Sequence, residues 1–202
     1  MNNEYEKVLI AMSPKVSVII PIYNTAPYLP QALDSICNQT LKELQIILIN
    51  DGSTDNSQEI IEAYAQKDSR IEWVTQANAG QGHARNVGLK KAVGDYVYFM
   101  DSDDILQEDC LEQSYRLCEE EELDYVTFDA ESFDTQTGAR EYTAYNRKVA
   151  IDSERIWDSK ELLWHALMNS SFRSSLCIFL FKRELLERHQ ITCPEGIIHE
   201  DN

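Results

Sequence analysis

Through the first hundred residues, short apolar runs alternate with segments whose apolar residues recur every three or four positions. Val16–Ile20 is a β-branched run that stops at Pro21, the pattern of a buried strand opening into a loop. Tyr28–Gln39 follows with Leu29, Ala32, Leu33, Ile36 and Cys37 at helical spacing. Gln45–Asn50 is strand-like again and stops at Asp51-Gly52-Ser53-Thr54-Asp55; Gln58–Gln66 then spaces Ile60, Ile61 and Tyr64 as a helix. Ile71–Thr75 predicts a third strand, Gln81–Ala92 a third helix and Tyr96–Met100 a fourth strand.

Such alternation implies an α/β fold: a Rossmann-like, mostly parallel sheet whose helical crossovers cover both faces. In these sheets ligands bind at the carboxyl ends of the strands. Tyr23-Asn24, Asp51 and Asp101-Ser102-Asp103-Asp104 all follow strands and should converge there. Beyond Asp109 the pattern is less regular. It predicts a helix to about Glu120, a strand Tyr125–Asp129, and a long hairpin or loop over Glu131–Asn146 covering the active face. A helix at Ser159–Leu167, a strand Leu176–Phe181 and a helix Arg183–His189 complete the expectation. Neither a repeat nor a low-complexity linker argues for a second independent domain.

Composition narrows the function. The chain has 202 residues, 43% of them hydrophobic, enough to bury a core. Its formal charge of −17 argues against nucleic acid as a partner, because phosphate counterions are displaced by a basic face. The acidity is concentrated: residues 101–135 hold 14 of the 35 acidic residues and a single basic one, Arg116. No apolar run is long enough to span a bilayer, and Glu4 and Glu6 ahead of Val8–Met12 do not make a secretory signal. The five cysteines are scattered and never spaced as CxxC, so reduced thiols and a cytoplasmic location are expected.

The densest chemistry is Asp101-Ser102-Asp103-Asp104. Carboxylates crowded at a strand end repel one another, and a hard divalent cation, Mg²⁺ or Mn²⁺, relieves that repulsion and could bridge a diphosphate. A solvated acidic turn capping the next helix is the simpler structural alternative. An aspartyl-phosphate phosphohydrolase also uses Asp-x-Asp after a strand and remains the competing enzyme class. A calcium EF-hand fails, because Ile105 and Leu106 stand where an oxygen ligand and glycine are needed. Neither GxGxxG nor GxxxxGK[ST] is present, so phosphate charge must be met by a metal and by isolated cations such as Arg85.

Val16–Asn24 (VSVIIPIYN), the Leu-x₃-Leu-x₂-Ile spacing of Tyr28–Gln39, Asn50–Asp55 (NDGSTD), Asn78–Gly88 (NAGQGHARNVG) and Phe99–Asp104 (FMDSDD) resemble, in order and spacing, the successive signatures of family 2 glycosyltransferases. The resemblance implies a GT-A fold and metal-dependent transfer of a sugar from a nucleotide-diphosphate donor, with inversion. It implies that Pro21, Tyr23 and Asn24 line the nucleotide pocket and that Asp51 hydrogen-bonds the base, typically uracil. Arg85 would lie near the donor's phosphates or its sugar, Asp101 and Ser102 would border the ribose and metal, and Asp103 would ligate the metal directly. Gly52 is counted with these substrate-binding residues; its structural alternative is a turn conformation alone, that of Tyr23 is packing, and Arg85 could instead pair with Asp51 or Asp101.

Pro194–Asp201 resembles the family's later segment, in which a Glu-Asp pair carries the general base; Asp201 is the candidate, with Glu200 and His199 beside it. The expected organisation is an N-terminal extension over residues 1–14, a nucleotide-sugar-binding half over 15–108, and an acceptor-side half of the same domain over 109–202. Family members continue beyond the position of Asp201, so a truncated C-terminus is expected, with peripheral membrane contact at the inner face through the missing part. The expected partners are a UDP-sugar and a saccharide or lipid-linked acceptor, with a bacterial envelope role. A donor-binding module without catalysis is the reading from another class.

Overall fold

The structure, a computed structural model, describes residues 13–134, 137, 139–141, 155–169, 171 and 175–196. Two units are distinguished by their internal contacts: Met1–Val126 with Phe179–Glu200, and Thr127–Ile178 with Asp201–Asn202.

The first unit is built on β1 (Val16–Ile22), β2 (Leu44–Asn50), β3 (Ile71–Thr75) and β4 (Tyr96–Phe99), separated by α1 (Leu29–Cys37), α2 (Ser57–Ala65) and α3 (Gln81–Leu89). After α4 (Cys110–Glu120) come β5 (Tyr125–Thr127) and, late in the chain, β8 (Phe179–Lys182) and α6 (Arg183–Arg188). The six strands form one mixed sheet in the order β3-β2-β1-β4-β8-β5. β1 pairs in parallel with β2 and β4, and β2 with β3, whereas β8 runs antiparallel to β4. Every residue of β1 and β2 is buried, as strands covered on both faces require. α1 turns Leu29, Ala32, Leu33 and Ile36 into that core.

β1 extends two residues past its predicted end, through Pro21. Ile22 C=O accepts from Asp51 N–H on the β2 side, whereas Ile19 C=O accepts from Met100 N–H on the β4 side. By the alternation of a parallel ladder, Pro21 faces the β4 side, where pairing has already ended at Ile19↔Phe99. Its missing N–H therefore removes no ladder bond.

α3 is shorter than its periodicity predicts, ending at Leu89. Val93 and Gly94 N–H groups donate to Ser17 Oγ at 3.2 and 2.8 Å, pulling the chain under β1 and into β4. Gly94 permits this approach, since a Cβ there would stand 2.6 Å from Ser17 N.

The second unit holds a short antiparallel hairpin, β6 (Ser132–Phe133) with β7 (Arg140–Glu141), and α5 (Ser159–Met168), capped at its start by Asp158, whose side chain accepts from Lys160 and Glu161 N–H. Of the predicted hairpin or loop over Glu131–Asn146, residues 135, 136, 138 and 142–146 lie outside the described residues. Leu176–Ile178, expected to open a strand, is a turn of 3₁₀ helix, and the strand begins only at Phe179. Apolar runs of this length do not distinguish the two from periodicity alone.

Candidate active site

The sheet order reverses at β1: the chain steps outward to β2 and β3, then returns to β4 on the other side. Loops leaving β1 and β4 therefore diverge and leave a crevice at the strand ends. An open cleft of about 510 Å³ occupies this place. Pro21, Ile22, Tyr23 and Thr25 line it from β1, Asp51 from β2, Asn78, Gly80 and Gln81 from the β3–α3 connection, and Asp101, Ser102 and Asp103 from the end of β4. Of the strand-end residues expected to converge, Tyr23, Asp51, Asp101, Ser102 and Asp103 line the cleft, whereas Asn24 and Asp104 do not.

Asn24, Gly52 and Arg85 are not among the lining residues; they shape the walls. Asn24 adopts φ 54°, accepts at Oδ1 from Thr54 N–H at 2.8 Å, and donates its own N–H to Ser53 Oγ at 3.1 Å. Asp55 completes the stitching of the two loops, accepting from Ala26 and Ser57 N–H at 2.9 and 3.0 Å. Burial raises the Asp55 pKa, but the hydrogen bonds from Ser57 and Ala26 outweigh it and hold the carboxyl below the usual range.

Asp51 is 2% exposed and serves as a clamp. Its Oδ1 accepts from Gln76 Nε2 at 2.7 Å and Ala79 N–H at 2.9 Å, and its Oδ2 from Gly80 N–H at 2.8 Å. A carboxylate has about four acceptor positions. Three bonds thus fix the rim of the cleft and leave room for one further N–H from a ligand. Gly52, at φ 75°, lets this rim close: a Cβ there would lie 2.8 Å from Asn78 N.

Of the two partners considered for Arg85, the structure selects Asp101. The guanidinium is 1% exposed and donates from Nη2 to Asp101 Oδ1 at 2.8 Å, an oxygen that also accepts from Gln81 Nε2 at 2.8 Å. Ser102 Oγ accepts from Thr25 Oγ1–H at 2.9 Å, tying the β4 end to the β1 loop. Asp103 is exposed at the cleft and has no hydrogen bond or ion pair among the described residues. Carboxylate oxygens of Asp101 and Asp104 approach within 4.8 Å of each other.

These residues fit a hard divalent cation. The lining carries three carboxylates, Asp51, Asp101 and Asp103, and no cationic side chain. Arg85 balances Asp101, but a diphosphate entering the cleft still meets net negative charge from Asp51 and Asp103 unless a cation accompanies it, and oxygen donors are what Mg²⁺ and Mn²⁺ take.

Gln76 was not singled out from sequence, and Asn78, Gly80 and Gln81 entered only within the Asn78–Gly88 motif, without a site role of their own. Their signal is indirect: a buried acid after β2 needs N–H donors, and the glycine-containing loop before α3 supplies them. Asp201, with His199 and Glu200, lies outside the described residues.

Residues 17–190 match the model of Glycosyl transferase family 2. The chain is 37% identical over 188 residues to EpsJ of Bacillus subtilis (strain 168), an uncharacterized glycosyltransferase, covering 92% of this chain and 53% of that protein. It is 37% identical over 194 residues to the glycosyltransferase GlyA of Streptococcus pneumoniae serotype 4, covering 93% of this chain and 27% of that one. Its fold resembles the crystal structure of S. aureus TarS 1-349 in complex with UDP-GlcNAc, with TM-score 0.70 and 25% identity, covering 93% of this chain and 51% of TarS 1-349. The chain thus spans about half the length, or less, of these relatives. Its mostly parallel sheet is that of a GT-A fold, and the chain belongs to glycosyl transferase family 2.

Proposed function

We propose that this chain carries the sugar-donor site of an inverting, metal-dependent glycosyltransferase using a UDP-sugar and a saccharide or lipid-linked hydroxyl. The observation that carries the reading is the acidic cleft at the β1/β4 reversal, with Asp51, Asp101, Ser102 and Asp103 in its lining. The likeness to TarS bound to UDP-GlcNAc supports uridine as the base. Pro21 and Tyr23 would wall the nucleotide, and the remaining acceptor position of Asp51 would take a base N–H.

Asp103 would hold Mn²⁺ or Mg²⁺, with Asp101 and Asp104 beside it; when bound, the cation supplies Lewis-acid charge to the departing diphosphate. Arg85 acts through Asp101, holding that carboxylate in place rather than touching the phosphates. Asp201 would accept the acceptor hydroxyl's proton while its oxygen attacks the anomeric carbon and the bonding pair of the old C–O bond leaves on the nucleotide diphosphate. A role in bacterial surface polysaccharide or glycolipid synthesis is the corresponding proposal, at the cytoplasmic face of the membrane. No helix among the described residues is long and apolar enough to cross one.

Calorimetric titration with UDP, with and without Mn²⁺, tests the reading. We expect binding that requires the cation and is lost in Asp103→Ala, whose melting stays within about 0.5 kcal/mol because the residue is exposed. Equal UDP affinity in that variant would sink the metal assignment. Binding without sugar transfer would leave a donor-binding module, and a covalent aspartyl-phosphate indifferent to uridine would indicate a phosphohydrolase.

A further inference from the structure

β2 and β3 stay bonded one step beyond Thr75, where Gln76 N–H donates to Asn50 C=O at 2.9 Å, directly before Asp51. That register lays the Gln76 side chain beside the Asp51 carboxylate, and its Nε2 donates to Asp51 Oδ1 at 2.7 Å. The same nitrogen lies 2.9 Å from Nδ1 of His83, in the first turn of α3. A carboxylate only accepts, so the amide turns its NH₂ group toward Asp51. Its second hydrogen then meets His83 Nδ1, which accepts while the ring proton sits on Nε2. The amide is held from both sides and cannot rotate without losing a bond.

This bond also takes up acceptor capacity. Each carboxylate oxygen has about two acceptor positions. Among the described residues, Oδ1 takes Gln76 Nε2 and Ala79 N–H, which fills it, whereas Oδ2 takes Gly80 N–H and keeps one position. An unoccupied carboxylate is a fork for two parallel N–H groups. Asp51 instead offers the cleft one position on one oxygen.

Bases differ in this respect. Uracil and hypoxanthine carry a single ring N–H, whereas guanine sets an amino donor beside its ring N–H. We propose that Gln76 is a positioning residue that sets base selectivity: by filling Oδ1 it limits Asp51 to bases with one N–H and rejects guanine. The guanine amino group would meet an oxygen with no position left, and a buried donor without a partner weakens binding. This rests on the proposed reading of Asp51 as the group that takes a base N–H.

The test is calorimetric titration of wild type, Gln76→Met and His83→Leu with UDP, inosine diphosphate and GDP in Mn²⁺. Inosine diphosphate keeps the purine ring of GDP without the amino group, so the pair isolates the second donor at constant ring size. Wild type should bind GDP about tenfold more weakly than inosine diphosphate. Gln76→Met opens a position on Oδ1, so that ratio should close or reverse. UDP and inosine diphosphate, which use Oδ2 alone, should change together. His83→Leu releases one side of the amide and should move the ratio the same way by a smaller factor, which carries the test where Gln76→Met folds poorly. Wild type binding GDP as tightly as inosine diphosphate overturns the proposal. So does a ratio unchanged in both variants, including a fall of all three affinities by one factor, the mark of a merely structural role. A wild type that binds none of the three sinks the reading of the cleft as a sugar-donor site, and this inference with it.

Discussion

Arg85 and Asp101 form an ion pair across 2.8 Å in which the guanidinium is 1% exposed and the carboxylate 26% exposed. A buried cation thus stands directly behind an acid at the cleft. The pair joins α3 to the end of β4 and leaves the acid's position set by the core rather than by solvent.

Replacing Arg85 by Met should therefore do more than remove a surface charge. Breaking a buried pair costs about 3–5 kcal/mol; with Asp101 still partly hydrated, a loss of about 3 kcal/mol is expected in denaturant unfolding. UDP binding in Mn²⁺ should weaken as well. Unchanged stability would show that the pair is not what holds Asp101.

Gly52→Ala addresses the opposite rim. The φ of 75° and the 2.8 Å approach to Asn78 N leave no place for a methyl group, so about 1–3 kcal/mol of stability should be lost. Because Asn78, Gly80 and Gln81 line the cleft, UDP affinity should fall with it. Full affinity in this variant would show that the rim does not contribute to nucleotide binding.

Acid should remove a defined part of the stability. The Arg70 guanidinium holds Asp68 below the usual carboxylate range, through bonds of 3.0 Å from Nε and 2.6 Å from Nη2, and Asp55 is lowered as described above. Folded values below an unfolded value of about 3.9 mean that this stabilisation is complete above about pH 4 and fades as pH falls through the folded values. Arg70→Met should accordingly be less stable than wild type at pH 6, with the gap narrowing toward pH 2.5. A gap independent of pH would assign the loss to packing, since Arg70 also bonds Cys37 C=O at 2.8 Å.

What could be read from the chain alone follows from local physics. Val16–Ile20 and Gln45–Asn50 are apolar apart from Ser17, Gln45 and Asn50 because strands covered on both faces have no solvent side, and α1 shows its buried stripe in its spacing. The acids Asp51, Asp101 and Asp103 were legible because polar residues directly after such strands fall at the ligand-binding edge of a parallel sheet. Other features were settled only by tertiary structure. β8 enters antiparallel between β4 and β5, Arg85 takes Asp101 rather than Asp51, three donors converge on Asp51, and Asn86 meets Cys193 at a separation of 107 residues. Periodicity records which side of an element is buried, since burial acts on each residue by itself. It does not record partners, because a hydrogen bond depends on where two distant segments are brought to lie, and several acids or amides along this chain could have satisfied the same donor.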